Sequence, residues 1–242
     1  MKKYKILIIA CLVLIIAAGG WLYLNKGDNN TDKYQEKIAF NTGFVLLDDE
    51  KSLVSSEPVE LSPEARDRFE TEIAKIKADL AVQTLKEDRL AGYNNLGIYQ
   101  KYLGNYREAY AAYLESLSLE SQARVAWQNF ADVLLKMKAL KSAEMAYKKA
   151  VELNKYIPES YVKLANYYKV VGDIKSVEAT YKTAIEIIKQ SMESDTLVLD
   201  AYAEWLAGQK RYVEAIELYE ELVVKQPANK EAIERKIEGL KK

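Results

Sequence analysis

The pattern of hydrophobic and polar positions changes character along the chain, and each change marks a boundary. Lys2, Lys3 and Lys5 precede an uncharged run over 6–24, after which charge returns at Lys26 and Asp28. A helix rising about 1.5 Å per residue covers roughly 28 Å over that run, close to the hydrocarbon thickness of about 30 Å. The pattern predicts a single transmembrane signal-anchor helix over 6–24 behind a basic cytoplasmic tail, 1–5. Trp21 and Tyr23 lie where the far headgroups would be, and Lys2, Lys3 and Lys5 favour a cytoplasmic amino terminus, which places the bulk of the chain on the extracytoplasmic side. Residues 25–61 are polar, with Gly27, Asn29, Asn30, an acidic cluster at Asp48, Asp49 and Glu50, and Pro58; they read as a stalk holding at most one short strand near Phe44. Ser62, Pro63 and Glu64 then form a helix start. Apolar residues at Phe69, Ile73, Ile76 and Leu80 give that helix, expected from about 63 to 85 within a segment 62–88, one apolar stripe that needs a partner.

Two rival readings of the amino terminus stand beside the uncleaved anchor. Ala17, Ala18, Gly19 and Gly20 could supply a signal-peptide cleavage site, although cleavage would leave Trp21, Leu22, Tyr23 and Leu24 as an apolar new terminus. Ile8-Ile9-Ala10-Cys11 resembles a bacterial lipobox, but the residues after Cys11 stay apolar where lipoproteins turn polar.

From residue 90 the chain repeats itself. Ala109, Ala143 and Val177 are 34 apart, as are Tyr113, Tyr147 and Tyr181, and Ala215 and Tyr219 continue both columns after a step of 38. Tyr93, Trp127, Tyr161 and Leu199 form another column, as do Leu96, Phe130, Leu164 and Tyr202, each of these followed by a small residue: Gly97, Ala131, Ala165, Ala203. A fixed period of this length is the mark of stacked helical repeats. Each unit reads as two short helices in which small residues allow close approach and aromatic rings fill the adjoining space. Gly104 and Gly172 sit where a left-handed residue ends the first helix, and Lys138 holds that place in the second unit.

These columns resemble the tetratricopeptide repeat (TPR) family over residues 90–229. The units are 90–123, 124–157, 158–191 and 196–229; Trp127, Phe130, Ala131, Ala143, Tyr147 and Ala150 make the second a close match, and Leu199 and Leu222 depart from the pattern in the fourth. The extra four residues fall around 191–195. Residues 230–242 carry Ala232, Ile233, Ile237 and Leu240 on one side and read as a capping helix, as an array with apolar ends requires. The fold class is therefore all-α: an α-solenoid of about four repeats with capping helices behind a transmembrane helix.

The resemblance implies a groove, lined by the first helix of each unit, that binds extended peptides or partner helices. Carried over by register, the groove residues are Asn94, Asn95, Ile98, Lys101 and Tyr102 in unit one, and Gln128, Asn129, Asp132 and Lys136 in unit two. Unit three gives Val162, Lys163, Asn166 and Lys169, and unit four Asp200 and Glu204. Asparagine suits backbone recognition because it offers both donor and acceptor. The lysine and asparagine clamp by which some members of the family grip acidic carboxyl termini is absent: Asn94, Ile98, Asn129, Glu159 and Lys163 occupy its positions, and Glu159 would repel a carboxylate. Ten tyrosines fall in packing columns; Tyr99, Tyr102, Tyr110, Tyr156 and Tyr167 lie outside them, and Tyr102 alone is on the groove register.

Composition then narrows the function class. The chain has no His and one Cys, which excludes an imidazole-based nucleophile pair, an internal disulfide and a Cys or His metal cluster. Neither a cofactor nor a catalytic residue is expected. With 35 Lys and Arg against 36 Asp and Glu there is no electrostatic footprint for nucleic acid. The expected partner is a protein or peptide, with membrane contact through 6–24. The order of one span followed by such repeats resembles bacterial inner-membrane factors that assist secretion, envelope assembly or complex formation. Two other classes remain: a self-associating structural component, and an envelope enzyme using the carboxylates of Asp200 and Glu204, one helical turn apart.

Overall fold

The computed structural model describes Leu47, Glu50, Val54 and residues 56–241. The span expected over 6–24 and most of the stalk lie outside these residues; among the described residues no helix is long and apolar enough to cross a membrane. Among the described residues ten α-helices follow one another: α1 Pro63–Val82, α2 Lys86–Tyr102, α3 Tyr106–Leu119, α4 Arg124–Lys136, α5 Leu140–Leu153, α6 Pro158–Val171, α7 Ile174–Ile188, α8 Thr196–Gly208, α9 Tyr212–Lys225 and α10 Lys230–Leu240, with a 3-10 turn at Pro227–Asn229. No strand occurs among the described residues.

Helix α1 starts as its sequence dictates, with Pro63 in the first turn and the Ser62 hydroxyl accepting from the Ala65 amide at 3.2 Å. It ends at Val82, and α2 begins at Lys86, four residues before the repeat boundary expected at 90. The aromatic column beginning at Tyr93 marks where packing starts, whereas Glu87 and Asp88 already favour a helix amino terminus. The stripe of α1 finds its partner in α2: the Phe69 ring lies 5.8 Å from Tyr99 and 5.5 Å from Tyr102, and Ile73 is buried.

One turn joins the two helices of every unit. Gly104, Lys138, Gly172 and Lys210 have φ of 79°, 68°, 78° and 60°. The amide after each bonds the carbonyl five residues back: Asn105 to Gln100, Ala139 to Leu134, Asp173 to Tyr168 and Arg211 to Leu206, all at 2.9–3.0 Å. This is the Schellman arrangement, which satisfies carbonyls that a helix end leaves open. Recurrence of the bond pattern explains why lysine is held in the left-handed region twice.

Within units the columns pack as their chemistry requires. Ala131, Ala165 and Ala203 are fully buried, and the rings of Tyr113, Tyr147, Tyr181 and Tyr219 are buried beside them. The main core runs from Tyr106 to Ala215, and Leu199, Ala203, Tyr219 and Leu222 join Ile233 and Ile237 of α10 in a second cluster that closes the carboxyl end. The inserted residues before α8 do not break the stack. Asp195 is buried, accepts Lys225 Nζ at 2.8 and 3.0 Å, and lends its carbonyl to the amides of Val198 and Leu199.

The described end of 25–61 is not a free spacer. The Glu57 amide donates to the Gly104 carbonyl at 3.1 Å and the Val54 amide to Met137 at 3.3 Å. The Glu50 carboxylate accepts from the amides of Lys141 and Ser142 at 2.7 and 3.1 Å. Helix α5 has Ala139 at its cap position and no side-chain cap of its own, so Glu50 satisfies its first-turn donors from 91 residues away in sequence.

The close approach at Gly97 gives a direct test. A Cβ there would lie 2.6 Å from the Tyr113 ring, whereas at Gly172 it would meet nothing within 4 Å. Gly97→Ala is expected to lower unfolding stability by about 1–3 kcal/mol through overpacking, and Gly172→Ala by about 1 kcal/mol through its left-handed backbone alone. Chemical denaturation of both variants checks the order.

Candidate binding groove

Successive first helices, α2, α4, α6 and α8, touch one another, while no comparably close contact links the successive second helices. The first helices therefore converge on a continuous inner face, and that face carries the register positions named from the sequence. The structure divides those positions into residues that bind neighbouring repeats and residues that face solvent.

Asp132 on α4 is the centre of the first group. Its carboxylate accepts Lys163 Nζ of α6 at 2.8 Å, Lys101 Nζ of α2 at 3.5 Å and the Tyr147 hydroxyl of α5 at 2.6 Å. Three units meet at one side chain. Burial and the negative charge of Asp132 both push the Tyr147 hydroxyl well above its ordinary range, so it stays a donor. Gln128 is also internal: it is buried, its amide donates to Ser160 Oγ at 3.0 Å, and its carbonyl accepts from Arg124 at 2.9 Å. Asn94 is half-buried, with its side-chain oxygen enclosed and unpaired.

Lys169 on α6 lies over the Tyr181 ring at 5.2 Å, and burial pushes its ammonium below the usual lysine range. Asp200 and Glu204 are both closed by α10, whose Lys236 reaches them at 2.8 and 3.0 Å. Burial of Lys236 opposes its charge, but bonds to the two carboxylates hold the ammonium above its ordinary range. Beside them a cleft of about 340 Å³ is lined in part by Leu197, Asp200, Ile233 and Lys236. The two carboxylates share one lysine and so tie α8 to the capping helix.

What remains available on the face is narrower than the sequence register. Asn95, Lys136 and Asn166 are exposed, Ile98, Asn129 and Val162 are half-buried, and Tyr102 is 48% exposed despite its contact with Phe69. Tyr110 and Tyr167, outside the packing columns, are buried at 1% and 4% exposure. Their rings lie 5.2 Å from Phe130 and 5.7 Å from Tyr147, and the Tyr167 hydroxyl donates to the Leu140 carbonyl at 2.9 Å. They pack one unit on the next, which a comparison within units does not reveal. The lock between units three and four was likewise not anticipated: Arg211 makes two bonds to Glu178 at 2.7 and 3.1 Å.

The geometry defines a TPR-like protein of stacked helical pairs with one polar inner face. The sequence model of the family described as PRP39 N-terminal HAT repeat matches residues 92–238, more than half of the chain, and the chain belongs to that family. Among solved structures, the fold is similar to the crystal structure of MamA, at 16% identity and a TM-score of 0.50, over 72% of this chain and 98% of that one. It is also similar to TTC0263, a thermophilic TPR protein in Thermus thermophilus, at 15% identity and a TM-score of 0.51, over 73% of this chain and 92% of that one. No curated protein sequence matches significantly. TPR-like repeat proteins generally act as protein-binding scaffolds, and such scaffolds are typically not enzymes.

Two tests follow from the charge geometry. Asp132→Asn leaves Lys101 and Lys163 without their shared anion and is expected to destabilise the array by about 1–3 kcal/mol, measured by urea denaturation. Glu178 is held at about 2 by its bonds to Arg211 and Lys182, against an ordinary value of 4.5. A depressed carboxyl contributes stability above its unfolded value that is lost as pH falls toward the folded one. Acid titration is expected to weaken the wild-type array between about pH 4.5 and 2 by a step that Glu178→Gln lacks.

Proposed function

We propose that the protein is a membrane-anchored, non-enzymatic adaptor whose inner face holds an extended stretch of a protein partner on the extracytoplasmic side. The observation that carries this reading is the continuous face of converging first helices, which keeps exposed amides at Asn95 and Asn166, an exposed charge at Lys136 and an accessible ring at Tyr102 while Lys101, Asp132 and Lys163 are engaged within the array. Amide side chains recognise peptide backbone without a charge preference, and a tyrosine gives a large contact area at low entropic cost. The membrane part rests on the apolar run over 6–24 and the three lysines before it. The proposed setting is a bacterial cell envelope, where the adaptor would assist secretion or assembly.

Charge reversal at Lys163 would break the Asp132 network as well as any contact with a partner, so it does not isolate binding. A photo-crosslinking residue placed at Asn95 or Asn166 of the full chain in its membrane is expected to label one partner. The same residue at Met145, exposed on α5, is expected not to label it. Adding Tyr102→Ala should reduce that labelling at least tenfold with the helix content unchanged. Equal labelling from Met145, or none from the inner face, would overturn the groove as the binding site.

A further inference from the structure

Asp132 shows what this inner face builds around an anion. In unit two its carboxylate takes the Tyr147 hydroxyl from the second helix and one lysine from the first helix on either side. Unit three keeps donors of the same kind and lacks the acid. Tyr181 stands 34 residues after Tyr147, and Asn166 stands 34 after Asp132. The Tyr181 ring is fully buried, and its hydroxyl has no hydrogen-bond partner among the described residues. Burial first, and then the charge of Glu204, push that hydroxyl up to about 12, so it remains a donor without an acceptor.

Lys169 lies over the same ring, 5.2 Å from its centroid. It is half-buried on α6, and no carboxylate bonds it among the described residues; burial lowers its ammonium, and the charge of Glu204 offsets that only in part. The repeat accounts for the missing bond. Lys169 corresponds to Lys101, which reaches Asp132 on the next first helix. At that place on α8 stands Glu204, and Lys236 of the capping helix already holds it at 3.0 Å. A half-buried ammonium without an anion is costly, and so is an enclosed hydroxyl without an acceptor. A single carboxylate approaching from the groove would accept from both.

The approach is open. Asn166 and Val170 flank Lys169 on α6 and are exposed, and the exposed Lys136 stands at the register of Val170 on the preceding first helix. Glu159, which disfavours a carboxylate at the other end of α6, is ten residues away, roughly 15 Å at about 1.5 Å per residue. We propose that Lys169 and the Tyr181 hydroxyl anchor the carboxylate of an Asp or Glu side chain in the extended segment held on the inner face. The inference rests on the groove reading above and adds to it the chemistry of the partner. The face continues from α6 to α4 on one side and to α8 on the other, so the acid belongs to a passing segment and not to a chain end. Neither residue occupies a position of the clamp that grips acidic carboxyl termini.

The test uses the full chain in its membrane with the photo-crosslinking residue at Asn95, whose labelling reports the groove and whose dependence on Lys169 reports the anchor. Lys169→Gln is expected to cut that labelling at least tenfold, and Tyr181→Phe, which removes only the hydroxyl, at least twofold. Lys169→Arg, which keeps the charge, is expected to retain at least a third of it, with helix content unchanged in all three. A zero-length carbodiimide crosslink, mapped by mass spectrometry, then reads the pair directly. Lys169 Nζ is expected to be joined to an Asp or Glu side chain of the polypeptide labelled from Asn95. Labelling unchanged by Lys169→Gln or by Tyr181→Phe would overturn the anchor and leave the groove standing. So would joining of Lys169 to Glu204 of its own chain alone, or to a terminal carboxylate. Absence of labelling from Asn95 in the otherwise unaltered chain would overturn the groove reading and the anchor with it.

Discussion

The array depends on one contact repeated four times: a small residue on the first helix of a unit against a tyrosine ring on the second. Gly97 meets Tyr113 so closely that even a methyl group has no room, and Ala131, Ala165 and Ala203 are fully buried at the equivalent places. The contact fixes the separation of the paired helices, and the Schellman turn fixes the angle at which the chain returns. With both set, each unit presents the same faces to its neighbours. The burial of Tyr110 against Phe130 and of Tyr167 against Tyr147 follows from that spacing. Stability then spreads along nearest-neighbour interfaces, as in other repeat arrays.

The polar inner face has two duties that compete for the same side chains. A groove needs exposed hydrogen-bonding groups, yet converging first helices also need ties between units. Asp132 gives its carboxylate to Lys101, Lys163 and Tyr147, and Asp200 and Glu204 give theirs to Lys236. Asp132 is partly buried, so its charge is costly to leave unpaired, whereas Lys236, Asp200 and Glu204 form a more exposed tie between α8 and α10. The groups left exposed on this face are then Asn95, Asn166 and Lys136, with the Tyr102 ring accessible beside them.

The period of 34 made the fold legible because it records packing within a unit, where residue identity is tightly limited. Trp127, Phe130, Ala131 and Tyr147 have no exposed solution, so their columns survive in the sequence. Helix starts were less legible: α2 begins at Lys86 on the strength of Glu87 and Asp88, ahead of any column. For the inner face the register names residues on the first helices, which do touch one another, but could not separate Asn95, which faces solvent, from Gln128, which bonds Ser160. That distinction depends on what the next unit brings within about 3 Å. Position within a repeat does not contain this information.

The segment before α1 shows why composition misled where periodicity did not. A stretch with Asp48, Asp49, Glu50, Ser55, Ser56 and Pro58 has the polarity of a spacer, and polarity alone predicts solvation. The acid at position 50 is nevertheless buried, because α5 begins at Ala139 with no side chain able to accept from its first-turn amides. Unit three solves the same problem locally with Asp173 bonded to Ser176. Ser142 and Ser176 are equivalent positions, and each receives a carboxylate, one from a distant segment and one from three residues away. At α5 the acceptor for the open first-turn donors comes from elsewhere, and Glu50 of the stretch before α1 supplies it.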